Sequence, residues 1–311
     1  MAKKWWIMGT AVGVGVVMMA ASGLSAMADS SGYDVFKDAW KHTKTAESIG
    51  GKVTVTLADN GTQLMQVNSQ FKANHKTADA SADVTAVSGS VTRAMNVYHQ
   101  DGKMILKTSD SDVYKVIEGA GPDKEQFHNS ADHEEFSAAA EKVVDALVGN
   151  LRSQVTQQTQ AGGGTQLSLH MTDGQVPAVI DAIGSLAVKM HGAHMDRMDE
   201  QGYHADANPF FGADFKPNFP QLKDDIHVKE VLIDATVDAN RYIDAESARV
   251  TVTGKDAAGV QHEVTLSVDV DLNGVNETVP ATVDLTGKKV ETIKHEGKGK
   301  GPWMHRDGSG S

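Results

Sequence analysis

The sequence predicts an α+β fold: a curved, half-barrel-like antiparallel β-sheet covered on one face by helices. Three observations carry that prediction. Long stretches show an apolar period of two, short turn signals separate them, and a few stretches at the start and in the middle switch to the period of a helix. Turns this short favour antiparallel neighbours, and runs of strands interrupted by runs of helices are the α+β pattern.

The first 28 residues read as a secretory signal peptide. Lys3 and Lys4 give a positive start, Trp5 to Leu24 is largely apolar, and Ala26-Met27-Ala28 ends in the small residues a signal peptidase reads. Without cleavage the same segment would be a membrane anchor, since it approaches the ~20 residues that span a bilayer. With cleavage, no integral membrane segment remains. The chain has no cysteine, so an acylated amino-terminal Cys is excluded and the protein is not a lipoprotein. Disulfides, thiolate catalysis and Cys-ligated metals are excluded with it. The expected location is extracytoplasmic, secreted or cell-wall associated, in a bacterium. The net charge of −12 becomes more negative once Lys3 and Lys4 leave, which disfavours nucleic acid as a partner.

Residues 29–287 read as a single α+β domain. Tyr33, Phe36 and Trp40 fall at i, i+3 and i+7, with Ala39 and Ala46 on the same broad face, so a helix is expected over 33–48, stopped by Gly50-Gly51. Val53, Val55 and Leu57 then alternate with polar residues, Asp59-Asn60-Gly61 turns the chain, and Met65, Val67 and Phe71 continue. A second hairpin follows through Ala78, Ala80, Ala82, Val84 and Ala86, then residues 91–99, Asp101-Gly102, 103–108 and 112–118, about six strands in all. Asp132 and Glu135 form a capping box before the stripe Phe136, Ala139, Ala140, Val143, Val144, Leu147. Strand-like alternation returns over 152–171 around Gly162-Gly163-Gly164. A further helix is expected from Asp173, with Pro177 in its first turn and Val176, Val179, Ile180, Ile183, Leu186 and Val188 as its apolar body. From about 192 to 225 the chain is polar and proline-containing, a long loop or insertion. Strands resume at 226–238, 242–253 and 260–272, with a last one near 278–285. Residues 288–311 are rich in Gly and Lys without periodicity, and read as a disordered basic tail.

This order of elements resembles the LolA/LppX-like superfamily of bacterial cell-envelope carriers. The resemblance rests on the opening helix with Tyr33, Phe36 and Trp40, the meander beginning at Lys52-Val53-Thr54-Val55-Thr56-Leu57, and the hairpin from Val97 to Met104 through Asp101-Gly102. It implies a curved sheet closing over helices around an apolar cavity, and a lipid or other apolar small molecule as partner. The missing cysteine departs from the many members that are lipoproteins. On that reading the pocket candidates are Tyr33, Phe36, Trp40, Ala80, Ala82, Val84, Val179, Ile183 and Leu186. The residues themselves leave two alternatives open, because small side chains such as those of 78–86 make room for either a packed helix or a ligand.

The densest cluster of potential metal ligands is His191, His194, Met195, Met198 and His204. His191 and His194 at i, i+3 share a helix face, and imidazole with thioether suits copper. The competing explanation is a solvated segment whose His and Met are incidental. Asp269, Asp271, Asn273 and Gly274 match the opening of a calcium loop, but Pro280 stands where the bidentate Glu is required, and a strand ending in an Asn-Gly turn explains them. No nucleophile elbow, zinc-protease motif, Walker loop or dinucleotide fingerprint is present, and no cofactor is implied. The sequence therefore points to a non-catalytic exported protein binding an apolar or amphipathic ligand between sheet and helices. A structural or interaction module with a filled core, and copper binding through residues 190–206, are the alternatives.

Overall fold

The computed structural model describes residues 32–118, 154–178, 180–182, 184–185, 215 and 219–294. Twelve strands form one open sheet that is antiparallel except at one edge. The first six are a meander in which each strand turns back on its predecessor: β1 Ser48–Asp59, β2 Thr62–Asn74, β3 Asp79–Ser88, β4 Val91–Gln100, β5 Lys103–Thr108 and β6 Val113–Glu118. A second meander runs through β7 Thr156–Thr159, β8 Thr165–Thr172, β9 Asp224–Val237, β10 Ile243–Lys255 and β11 Gln261–Asn273. The two halves join where β1 pairs with β11, from Gly50 opposite Asn273 to Asp59 opposite Val264.

The hairpin turns follow their side chains. Asn60 and Gly61, and likewise Asp101 and Gly102, both have positive φ (49° and 77°; 52° and 70°), as a two-residue turn matched to strand twist requires. Alternation then sorts each strand into a core face and an outer face. On the core face Val53, Val55 and Leu57 of β1 lie between Ser69, Val67 and Met65 of β2 and Val270, Val268 and Leu266 of β11. On the outer face Lys52, Thr54 and Thr56 adjoin Gln70, Asn68 and Gln66.

One helix, α1 (Gly32–Thr43), lies on the core face against β8, β9 and β10. Its buried side is Tyr33, Ala39, Trp40 and Thr43, the stripe expected from the sequence. It is shorter than expected and ends at Thr43 rather than at Gly50-Gly51. The Thr43 hydroxyl donates to the Ala39 carbonyl (2.8 Å) and accepts the backbone N–H of Ile243 (2.9 Å), so a completely buried side chain fastens the last turn to β10. Gly50 and Gly51 belong to β1. A Cβ on Gly51 would lie 3.0 Å from the Phe71 ring and 2.5 Å from the Asp271 carbonyl oxygen, so the pair serves close strand packing and not helix termination.

The expected helix after Asp173 begins with a 3-10 turn, Asp173–Gln175, and is helical at the described positions between 178 and 185. Asp181 accepts the Val228 N–H (2.6 Å) and Ser185 donates to the Ile226 carbonyl (2.8 Å), which ties this segment to the start of β9. Residues 224 and 225, expected in the polar insertion, already belong to β9. The signal segment and the expected helix at 132–147 lie outside the described residues. No described helix is long and apolar enough to cross a membrane.

The chain after β11 departs most from expectation. Residues 278–285 form no ladder. They cross the strands on the outer face, and their N–H groups bond to side chains: Thr278 to Ser48 Oγ (3.0 Å), Ala281 to Ser81 Oγ (3.0 Å) and Val283 to Gln100 Oε1 (2.8 Å). Gln100 Nε2 returns a bond to the Val283 carbonyl. Pro280, which has no N–H to give a ladder, is buried in this strap. The span from β11 to the far side of β6 is seven strand steps, roughly 34 Å, and some fifteen extended residues reach up to ~50 Å. The strap thus delivers Lys289–Lys294 to the opposite edge as β12, parallel to β6 with Lys289 opposite Val113 and Ile293 opposite Ile117. The expected disordered tail is corrected to this extent; residues 295–311 lie outside the described residues.

Because β12 covers the backbone of β6, deleting residues 289–311 should lower the melting temperature by several degrees, the effect of roughly 1–2 kcal/mol in a domain of this size. Thermal unfolding of the full and truncated chains checks this; identical transitions would mean that β12 adds nothing to the sheet.

Candidate functional site

The core face carries three buried clusters. The first gathers Ala39 and Trp40 of α1 with Ile49, Val53, Ala73, Ala80, Leu167, Ala235, Val237, Ile243, Val268, Val270 and Leu272, with Phe36 packed at its margin. The second lies over β2–β5 and contains Val67, Ala82, Val84, Ala86, Met95, Val97 and Leu106 together with Phe215. The third joins Leu169, Met171, Leu222, Ile226, Val228, Val231 and Val252, with Ile180 against it. Tyr33, Phe36, Trp40 and Ala80 therefore sit on the α1 side, and Ala82 and Val84 beneath Phe215. Val179, Ile183 and Leu186 lie outside the described residues, as do His191, His194, Met195, Met198 and His204. A shallow surface depression lined by Asp38, Lys41, His42, Thr45 and Arg241 lies at the end of α1, where His42 stacks on Tyr242 with ring centroids 4.2 Å apart.

Several ionisable residues occupy the apolar side of their strands, among them Arg93, His99 and Lys115 in the first meander; Glu246, Asp59 and His262 are set in the most distinctive surroundings. Glu246 faces Ala235 on β9 and Val270 on β11 and is only 8% exposed. It reaches the core face through a β-bulge between Ile243 and Ala245: Ile243 and Glu246 both point inward although three residues apart, which regular alternation forbids. Burial alone pushes its pKa up to about 7, because no hydrogen bond or cation offsets the lost hydration.

Asp59 and His262 lie at the opposite end of β1 and β11. His262 Nδ1 is 2.8 Å from Asp59 Oδ2, and its Nε2 is 3.6 Å from Asp256 Oδ2. The hydrogen bond to Asp59, followed by the charges of Asp59 and Asp256, raises the His262 pKa against the opposing effect of burial. Asp256 is itself held by the N–H groups of Ala258 and Val260, so the three side chains are fixed relative to one another.

A third cluster lies on the outer face, where Ser168, His170 and Asp234 meet. Ser168 donates to Asp234 Oδ1 (2.6 Å) and His170 Nε2 lies 2.9 Å from Asp234 Oδ2. Burial would raise the Asp234 carboxyl, but the bonds from Ser168 and His170 outweigh it and hold the pKa below the ordinary value. The acid is the hub. The serine proton is directed to a carboxylate and no imidazole is placed on Ser168 Oγ, unlike the order of a catalytic triad. Among the described residues no three His, Cys, Asp or Glu side chains converge to hold a metal; Asp269 and Asp271 both point from the outer face of β11.

Sequence reading passed over Glu246, Asp59 and His262 because it counted apolar residues along each strand. The available signal was parity: Glu246 precedes Ala248, Val250 and Val252 at the same period of two, Asp59 follows Val53, Val55 and Leu57, and His262 precedes Val264, Leu266 and Val268.

No family model matches the chain, and no curated protein does. Among solved structures it is similar to the crystal structure of the LolA superfamily protein NE2245 from Nitrosomonas europaea, at 8% identity, over 83% of this chain and 97% of that one, with a TM-score of 0.22. That is a weak resemblance at the level of fold and carries no functional argument.

Both raised pKa values give stability the same sign. For Glu246 and His262 the folded state binds more protons than the unfolded one, so their contribution is complete below the unfolded pKa values and is lost as pH rises through the folded ones. The urea midpoint should therefore be lower at pH 8 than at pH 5. Glu246→Gln should remove much of that difference and at pH 8 exceed the wild type by up to roughly 3 kcal/mol. Parallel pH profiles for the two proteins would show that Glu246 ionises without penalty.

Proposed function

We propose that the chain is an exported, non-catalytic protein of the bacterial cell envelope or exterior that binds an apolar or amphipathic ligand between the sheet and the chain laid over its core face. The observation that carries the reading is the width of the apolar face relative to α1. Twelve strands span roughly 50 Å, whereas a helix of 12 residues is ~18 Å long, and α1 is spent on β8–β10. Along β2 and β3 the face carries Ala73, Ala80, Ala82 and Ala86, whose short side chains leave depth for an acyl chain or for packed side chains between the larger Val67, Val84, Met95 and Val97. The signal-like first 28 residues and the lack of cysteine support an exported protein without a lipid anchor. The direction of the Ser168 hydroxyl and the absence of nucleophile motifs support a non-catalytic role.

A second reading is an interaction module whose core is filled by its own chain. It is favoured by Ala86 and Leu106, which are 0% and 1% exposed and so already covered.

Organic extraction of the purified protein followed by mass spectrometry separates the two, together with titration of a fluorescent fatty acid. A ligand-binding protein should carry lipid or bind the probe, and Ala82→Phe should weaken that binding at least tenfold while the fold is retained. Absence of both co-purifying lipid and probe binding would leave the filled-core module.

A further inference from the structure

We propose that the depression at the end of α1 is a site for a phosphate group, gripped between Lys41 of the helix and Arg241 of the β9–β10 turn. It shares no residue with the apolar face along β2 and β3 and stands whether or not that face takes a ligand.

The depression is assembled from two elements. Asp38, Lys41 and His42 of α1, with Thr45 just beyond it, line one side and Arg241 the other, around a volume of about 400 Å³, at the small end of the ~300–1,000 Å³ usual for ligand sites. Two contacts fix the sides against each other. The Thr43 hydroxyl accepts the Ile243 N–H (2.9 Å), and the His42 ring stacks on Tyr242. The turn itself is held by Asp238, whose Oδ1 accepts the Tyr242 N–H (2.7 Å) and whose carbonyl accepts the Arg241 N–H (3.0 Å). The backbones that carry Lys41 and Arg241 are therefore preset, and a ligand has only two side-chain ends to order.

What the depression lacks is an anion. Among the described residues neither Lys41 nor Arg241 makes an ion pair or a side-chain hydrogen bond, and Asp38, although in the lining, pairs with neither. Other exposed cations of this acidic chain do have partners, as Lys76 has Glu47, Lys103 has Glu118, Lys229 has Glu263 and Lys255 has Asp225. Basic residues in a last helical turn complement the helix dipole, which accounts for Lys41 and His42 but not for Arg241 on a different element. The carbonyls at that helix end are also taken already: Ala39 by the Thr43 hydroxyl, Trp40 by the Lys44 N–H, and His42 by the N–H and hydroxyl of Thr45. Arg241 stands at φ +67°, where glycine is at ease and a residue with a Cβ is not. The guanidinium set there is a planar fork that fits two oxygens of one anion, and Lys41 adds a point charge. A carboxylate would fill the fork and leave Lys41 without an acceptor. A phosphate presents three oxygens and roughly two charges, enough for both.

Calorimetric titration of the full chain at low ionic strength, with inorganic phosphate and separately with dihexanoyl phosphatidic acid, tests the site. Wild type should bind phosphate saturably, and Lys41→Gln and Arg241→Gly should each weaken binding by roughly tenfold or more, the effect of losing a charge-assisted pair. Arg241→Lys, which keeps the charge and loses the fork, should weaken it less. Because glycine suits the backbone at position 241, Arg241→Gly should melt at or above the wild-type temperature, which separates lost binding from lost fold. Phosphatidic acid binding tighter than phosphate by roughly tenfold or more, as added acyl burial would give, identifies a lipid headgroup as the source; a smaller difference identifies a soluble phosphate ester. Binding of neither compound, or binding that Lys41→Gln and Arg241→Gly leave unchanged, would overturn the site.

Discussion

The ladder between β1 and β11 is the constraint on which the rest depends. Each half of the sheet is a chain of local hairpins that could form from neighbouring sequence, but neither half alone can bury its inner edge. Pairing Gly50–Asp59 with Val264–Asn273 closes that edge over more than 200 residues of sequence and merges two meanders into one sheet. A slip of one residue would turn Val53, Val55 and Leu57 outward and bring Lys52, Thr54 and Thr56 into the core. Register is held at both ends. Gly51 lets Phe71 lie flat against β1, and Asp59 meets His262 at the other end. The loop-closure cost of such a long-range contact must be met before the ladder returns any stability, so formation of this pair is the expected slow step of folding.

The hairpins were legible because their information is local. Asn60-Gly61 and Asp101-Gly102 allow the left-handed turn, and alternation on either side says which residues face inward. The strands at 226–238, 242–253 and 260–272 were legible for the same reason and differ from β9, β10 and β11 by only a few residues. What alternation does not encode is the partner of a strand whose neighbour lies far along the chain. Nothing around Lys289 announces a parallel strand, because β12 is largely exposed and needs no apolar period. The strap reads as a strand on similar grounds: Val279, Thr282, Val283 and Leu285 look β-like, while the N–H groups of Thr278, Ala281 and Val283 are taken by side chains on three different strands. Of the candidate site, the Tyr33–Trp40 stripe and the alanines of β3 were legible, and the ionisable residues on the core face were legible only through parity.

The strap also explains why the outer face is not uniformly wet. Ile105, opposite Tyr98, and Val116, opposite Ile105, point outward, yet both are almost fully buried. An antiparallel sheet with one solvated face should carry polar residues at those positions. Val283 and Leu285 of the strap are half-buried, and the Gln100 clamp fixes the strap beside them. The first meander is thus covered on its outer face only around Ile105 and Val116, where the strap runs, and Lys52, Asn68, Gln70, Lys72 and Asp83 stay exposed as do His170, Ser247 and Asp269 on the second meander.

The energetic weight of Glu246 follows from comparison with the helix that packs on the cluster of its cross-strand partners Ala235 and Val270. Burying a large apolar side chain contributes roughly 1.5–3 kcal/mol, and α1 buries two, Tyr33 and Trp40. Ordering a helix of 12 residues costs more than 10 kcal/mol in backbone entropy at about 1 kcal/mol per residue, offset mostly by its own hydrogen bonds and by burial, so the net hold on the sheet is a small difference. An ionised Glu246 opposes folding by up to roughly 3 kcal/mol, the same order as one of the two anchors. Replacing Glu246 by an apolar residue would remove that opposition at no cost to the ladder, since Ala248, Val250 and Val252 already occupy the equivalent positions along β10. An acid at this site therefore lowers stability at neutral pH without serving the fold. The bulge that turns it inward adds a second departure from regular alternation at the same place.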